Sequence, residues 1–187
     1  MTRSSGSDVG HERDGGAKGP RVVAGIDFST GSRAALQFAL QDAVRRRVPV
    51  EVVTAYRSPD DWMDFYAIAG VEPDELRTAA LGRLRRFVDE VLPDGPQPPP
   101  EIRLQATLGS ASDVLVRESQ GADLLVVGSR GHGGFASMLL GSVSMQCALH
   151  ATCPVTVVHS PEAHRERLHR RRHRQTEAQE RQGTPVV

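Results

Sequence analysis

From residue 20 to residue 160, short apolar runs alternate strictly with segments of helical periodicity, a pattern that few chain topologies accommodate. Consecutive apolar residues mark a strand buried on both faces, as in a parallel sheet covered by helices on either side. Val22, Val23, Ala24 and Ile26 form the first strand. Ser32 to Arg47 follows as a helix, with Ala35, Leu36, Ala39, Leu40, Ala43 and Val44 at helical spacing and Arg45 to Arg47 at the negative end of its dipole. Val50, Val52, Val53 and Ala55 make the second strand. A long connection from Ser58 to Gly70, with Trp62, Phe65 and Tyr66, has the character of a lid.

Pro73 suits the first turn of a second helix, whose apolar face runs through Leu76, Ala80, Leu84, Phe87, Val88 and Val91 until Pro93. Pro96 and the run Pro98 to Pro100 lead stiffly into a third strand, in which Ile102, Leu104, Ala106 and Leu108 alternate with polar neighbours as an edge strand does. A third helix from about Ser110 to Gln120 stops at Gly121, a residue suited to a left-handed terminus. Leu124 to Val127 is the most hydrophobic strand, and a helix near Leu139 to His150 precedes the last strand, Val155 to Val158. Right-handed crossovers between elements in this order predict a doubly wound α/β fold. It is a five-stranded parallel sheet, in the order 3-2-1-4-5, with helices on both faces.

Outside that region the chain changes character. Residues 1–19 are rich in Gly, Ser and charge and read as a disordered tail. Residues 161–187 are polar and Arg-rich, with seven arginines against four glutamates, and read as a second solvated tail. A single domain therefore spans residues 20–160. The whole chain carries 23 basic and 23 acidic side chains, so long-range attraction to nucleic acid or anionic lipid is not expected and binding must come from a local site. No apolar run approaches the roughly 18 to 20 residues that span a bilayer, and the first residues contain no hydrophobic signal segment, so a cytoplasmic location is expected. Cys147 and Cys153, the only cysteines, are expected to be reduced thiols.

The local site falls where a doubly wound sheet places its ligands, beyond the carboxyl ends of the strands. Gly128, Ser129, Arg130, Gly131, His132, Gly133 and Gly134 directly follow the most buried strand, and Gly141, Ser142, Val143 and Ser144 open the next helix. Binding a phosphate without lysine requires converging backbone amides, glycines that let the chain come close, and hydroxyls at a helix start. This stretch supplies all three. A helix terminus stabilises an anion by about 0.3 to 1 kcal/mol, rising to roughly 2 when partly buried, so several donors must act together.

The spacing Gly128, two residues, Gly131, nine residues, Gly141, Ser142 resembles the ATP-binding motif of the universal stress protein family. The end of the first strand, Ala24 to Ser29, and the closing run His150 to Val155 agree with that family, and the likeness covers roughly residues 20 to 159. The resemblance implies that Asp27 contacts the adenosine moiety and that Ala55 offers backbone to adenine. It also implies that Val127, Gly128, Arg130, Gly131, Gly141, Ser142, Val143 and Ser144 surround ribose and phosphates, with Arg130 neutralising phosphate charge. Phe28 stands where many family members have glycine. ATP is then the expected ligand and a homodimer through the last strand the expected assembly, while the position of Asp27 at a strand end makes it a candidate to help hold magnesium. The implied role is a nucleotide-dependent stress-response module acting on a protein partner. Slow ATP hydrolysis or phosphoryl transfer is the alternative, and a dimeric adaptor without nucleotide is a third reading.

Competing motifs fail on their own spacing. Lys18 is the only lysine and lies outside the folded region, so a Walker-type loop is excluded. After the first strand, Asp27 to Gly31 lacks the second and third glycines of a dinucleotide fingerprint. Cys147, His150 and Cys153, with His159, have gaps that suggest soft-metal ligands, but the first two fall on a helix and packing explains them better. Asp27 has a plainer reading too, as a cap for the first helix or an acceptor for a loop amide. No nucleophile, base and acid have a readable mutual placement, so no catalytic residue is assigned.

Overall fold

Val22, Val23 and Ala24 have no exposed surface at all, a condition that a strand meets only when both of its neighbours and both of its faces are covered. The structure is a computed structural model that describes residues 19–56, 73–92, 100–131 and 140–160. Along the chain the elements are β1 (Val22–Gly25), α1 (Thr30–Arg46), β2 (Val50–Tyr56), α2 (Pro73–Asp89), β3 (Ile102–Leu108), α3 (Ala111–Glu118), β4 (Leu124–Gly128), α4 (Ser142–His150) and β5 (Val155–Val158). All pairings are parallel, and the sheet order is β3-β2-β1-β4-β5. The doubly wound expectation and its strand order therefore hold, with β3 at one edge as its alternating pattern indicates.

Strand alternation sorts the core into two layers. Val22, Ala24, Val50, Val52, Leu124 and Val126 face α1 and α2, where Leu36 and Leu84 are wholly buried. Val23, Val53, Leu125 and Val127 face α3 and α4, meeting Val114, Leu115 and Cys147. Each fully buried Val or Leu side chain contributes about 1.5–3 kcal/mol, so the two layers supply most of the drive to fold.

At the amino ends of the strands, buried Arg21 ties three elements together. Its Nε donates to Glu51 Oε2 at 2.5 Å, and its Nη2 donates to the carbonyls of Glu118 at 2.8 Å and Gln120 at 3.2 Å. A charge buried this deeply is tolerable only with such a full set of partners.

Helix ends differ from the sequence expectation in informative ways. Ser29 caps α1, its Oγ accepting from the Ser32 amide at 3.1 Å, so the helix begins two residues before Ser32. Arg47 terminates it in the left-handed conformation, at φ 59°. Helix α4 starts at Ser142 and not near Leu139, because Gly141 is extended, at φ −73° and ψ 157°. Among the described residues, no helix is long and apolar enough to cross a membrane. The expected lid from Ser58 to Gly70, both expected tails apart from Gly19, and the loop positions His132, Gly133 and Gly134 lie outside the described residues.

Candidate functional site

Because β2 and β3 lie on one side of β1 and β4 and β5 on the other, the chain reverses its winding between β1 and β4, and a crevice opens beyond their carboxyl ends. A cavity of about 440 Å³ occupies that position. All ten residues singled out from sequence line it: Asp27, Ala55, Val127, Gly128, Arg130, Gly131, Gly141, Ser142, Val143 and Ser144. They come from the ends of three strands, the loop after β4 and the first turn of α4.

Close backbone approach builds the floor. A Cβ placed on Gly128 would lie 2.6 Å from the carbonyl carbon of Gly31 and 2.9 Å from the Ser32 nitrogen. A Cβ on Gly31 would lie 2.4 Å from the Arg130 carbonyl oxygen. The first turn of α1 and the loop after β4 thus touch through main chain, and the absence of a side chain at Gly128 serves this contact. Gly141 is different: an added Cβ would meet its nearest neighbour at 3.5 Å, an ordinary contact.

The turn that carries Asp27 is held from outside the cavity. Phe28 adopts φ 67°, a left-handed conformation that favours glycine and costs a side chain about 1 kcal/mol or more. Its ring stands edge to face against Phe87, with centroids 5.5 Å apart, and the Arg83 guanidinium lies 3.9 Å from its centroid. These contacts offset the strain. Asp27 Oδ1 then accepts from the Ser29 amide at 3.0 Å and from Ser29 Oγ at 2.6 Å. The acid therefore braces the residue that caps α1 while not capping the helix itself. Its second oxygen, Oδ2, occupies the space that a side chain on Gly131 would fill.

On the opposite wall, α4 begins without a side-chain cap, since Gly141 has none to offer. The first-turn N–H groups of Ser142, Val143 and Ser144 have no partner within the helix, and all three residues line the cavity. Ser142 is exposed. Ser144 departs from the expected role: it is buried, and its Oγ donates to the Gly128 carbonyl at 2.6 Å, so that hydroxyl braces the loop and does not donate into the cavity. Arg130 is half-buried, and its Nε lies fully shielded with no hydrogen-bond partner among the described residues. A buried cationic donor without a partner is costly, and its cost is removed by an anion.

The remaining lining was not foreseen. Gly25, Ile26, Ser32, Val53, Ala111, Leu115 and Leu140 complete it, and Val53, Ala111 and Leu115 form an apolar wall on the β2 and α3 side. Two signals for them were present in the sequence. Val53 sits two residues from Ala55 on one strand face, and Gly25 interrupts a buried strand, which marks a close approach, here by Leu115.

Cys147 has no exposed surface and packs in the α3 and α4 layer, where burial pushes its thiol up to about 11. Both cysteines are free thiols. Among the described residues, no group of three His, Cys, Asp or Glu side chains is placed to hold a metal ion, so Cys147, His150, Cys153 and His159 do not converge on one.

Comparison with known proteins places this geometry in context. Residues 20–159 match the model of the Universal stress protein family. Universal stress protein Rv2623 of Mycobacterium tuberculosis is 32% identical over 147 residues, which are 76% of this chain and 48% of that protein. A universal stress protein of Mycolicibacterium smegmatis is 34% identical over 139 residues, 73% of this chain and 45% of that one. The chain spans about half the length of the curated relatives it matches. Among solved structures, universal stress protein UspA from Lactobacillus plantarum shares the fold with a TM-score of 0.59 at 18% identity, over 76% of this chain and 99% of its own. A universal stress protein solved in complex with cAMP has a TM-score of 0.52 at 29% identity, over 78% of this chain and 99% of its own.

Proposed function

The chain belongs to the universal stress protein family, and from that premise we propose that its cavity binds an adenine nucleotide, ATP in the cell, and that occupancy is read by a protein partner during stress. One observation carries this reading. An uncapped helix start, a backbone-lined loop and an arginine whose buried Nε lacks a partner all border a single cavity at the reversal point of the sheet. The relative of known structure that holds cAMP supports the choice of ligand class.

In this reading the phosphates lie against the first turn of α4 and Arg130, where the donors are. Ribose sits beside Asp27, and the base takes the apolar wall of Val53, Ala55, Ala111 and Leu115. Were magnesium to accompany a triphosphate, Asp27 would help hold it, and the ion would offset phosphate charge there. Two further parts belong to the same proposal. A homodimer forms through β5, a half-buried edge strand with β4 on one side only. The protein acts in the cytoplasm, a reading supported by its two free thiols.

Mass spectrometry of small molecules released from freshly purified, denatured protein tests the central claim. Recovery of adenine nucleotide at close to one per chain is expected, with ATP intact. A protein that releases none and shows no thermal shift with ATP would be an adaptor instead. Magnesium-dependent ADP release, abolished in Asp27→Ala, would make it an enzyme.

A further inference from the structure

A second, smaller cavity of about 200 Å³ opens off the first and shares Ala55, Ala111, Ser142 and Val143 with it. Its own contribution is polar: Ser110, Ser112 and Gln146 line it, together with Gly109. Ser110 Oγ accepts from the Asp113 amide as the cap of α3 and lies 2.9 Å from Ser112 Oγ. Two hydroxyl protons serve one mutual bond, so one is left over for another acceptor. Gln146 is exposed on α4, its carboxamide bonded to none of the described residues, and it offers a donor and an acceptor side by side.

Resting on the nucleotide reading above, we propose that this side chamber is where the base edge is read, and that Gln146 sets the preference for adenine over guanine. A flat base has apolar faces and a polar rim. Its faces fit the wall formed by Ala55, Ala111 and Val143, and its rim then meets the chamber that the same three residues border. Adenine presents a donor at N6 beside an acceptor at N7, which a carboxamide satisfies with its oxygen and its NH₂ together. Guanine presents two acceptors, O6 and N7, so one half of the carboxamide faces a like group. The Ser110 and Ser112 hydroxyls supply the spare donor for a ring nitrogen and add affinity more than discrimination.

Titration calorimetry of the full chain with ATP and with GTP tests this, using wild type, Gln146→Ala, Gln146→Arg and Ser112→Ala. Because Gln146 is exposed, thermal melting should be unchanged by its replacement. Wild type should prefer ATP. Gln146→Ala should reduce the ratio of ATP to GTP affinity by roughly five- to tenfold. Gln146→Arg should move the preference to GTP, since a guanidinium pairs with O6 and N7 together. Ser112→Ala should weaken ATP and GTP alike. If wild type binds ATP but both Gln146 variants keep its ratio of affinities, base reading at Gln146 is overturned while the nucleotide site stands; if wild type binds neither nucleotide, both readings fall.

Discussion

Gly131 and Asp27 share one volume: a Cβ on Gly131 would sit 1.9 Å from Asp27 Oδ2. From sequence, Gly131 is a place where backbone lets phosphate approach. The structure adds that its first effect is on the acid opposite. Gly131→Ala should push the Asp27 carboxylate aside and break its bonds to Ser29. Nucleotide affinity should fall roughly tenfold in calorimetry. Stability should fall only modestly, by about 1 kcal/mol, for the lost bonds to the Ser29 cap. Unchanged affinity would remove Asp27 from the site.

The contact between Gly128 and Gly31 has the opposite signature. Backbone lies in the path of a side chain on either glycine, and backbone does not rotate away. Gly128→Ala and Gly31→Ala should each cost about 1–3 kcal/mol in urea unfolding, as overpacking does. Gly141→Ala, with its ordinary neighbours, should stay within about 0.5 kcal/mol of wild type. Equal losses at all three positions would contradict the distinction.

Arg130 separates binding from stability. Removing a buried donor that has no partner does not cost the fold a bond, so Arg130→Met should leave stability unchanged or raise it slightly. It should lower nucleotide affinity by about 1.5–3 kcal/mol, the range for a charged hydrogen bond. Ser142→Ala, which loses one neutral bond, should cost only about 0.5–1.5 kcal/mol. Calorimetry that ranked Ser142 above Arg130 would place the phosphates elsewhere.

Far from the cavity, Arg21→Met should destabilise the fold by about 3–5 kcal/mol, because it removes one member of the buried Arg21–Glu51 ion pair. Adding Glu51→Leu should recover much of that loss. A double mutant as unstable as the single would mean that the other Arg21 bonds, to the end of α3, dominate.

The two thiols should respond differently to alkylating reagents. Burial raises both, most for Cys147, which stands at about 11 and is enclosed. At neutral pH, Cys153 should label first and Cys147 only on unfolding. A thiol raised in the folded state also opposes folding in alkali: as pH climbs from about 9 toward 11, the unfolded chain ionises Cys147 first and stability falls. Cys147→Ala should flatten that part of the pH profile. Rapid native labelling of Cys147 would show that the α3 and α4 layer opens.

Much of this protein is readable from residue order alone, because apolar periodicity reports burial directly. Continuous runs at Val22 to Ala24 and Leu124 to Val127 announced strands covered on both faces, and the spacing of glycines after β4 announced the loop. Right-handed crossovers then left a doubly wound sheet as the simplest topology. The glycine-rich loop after β4 and the start of α4 were legible in the same way, whereas Asp27, Ala55 and the full set of ten cavity positions came from the resemblance to the universal stress protein family.

What residue order cannot express is which atoms meet across the fold. That Ser144 spends its hydroxyl on Gly128, that Gly131 stands aside for Asp27, and that Arg130 Nε is left without a partner are decided by approaches of a few ångströms between segments about 100 residues apart or brought together by the loop after β4. The apolar wall of Ala111 and Leu115 and the polar chamber beside it are likewise products of how α3 and α4 pack. Periodicity tells a residue which face it is on, and only close packing in three dimensions tells it whose company it keeps there.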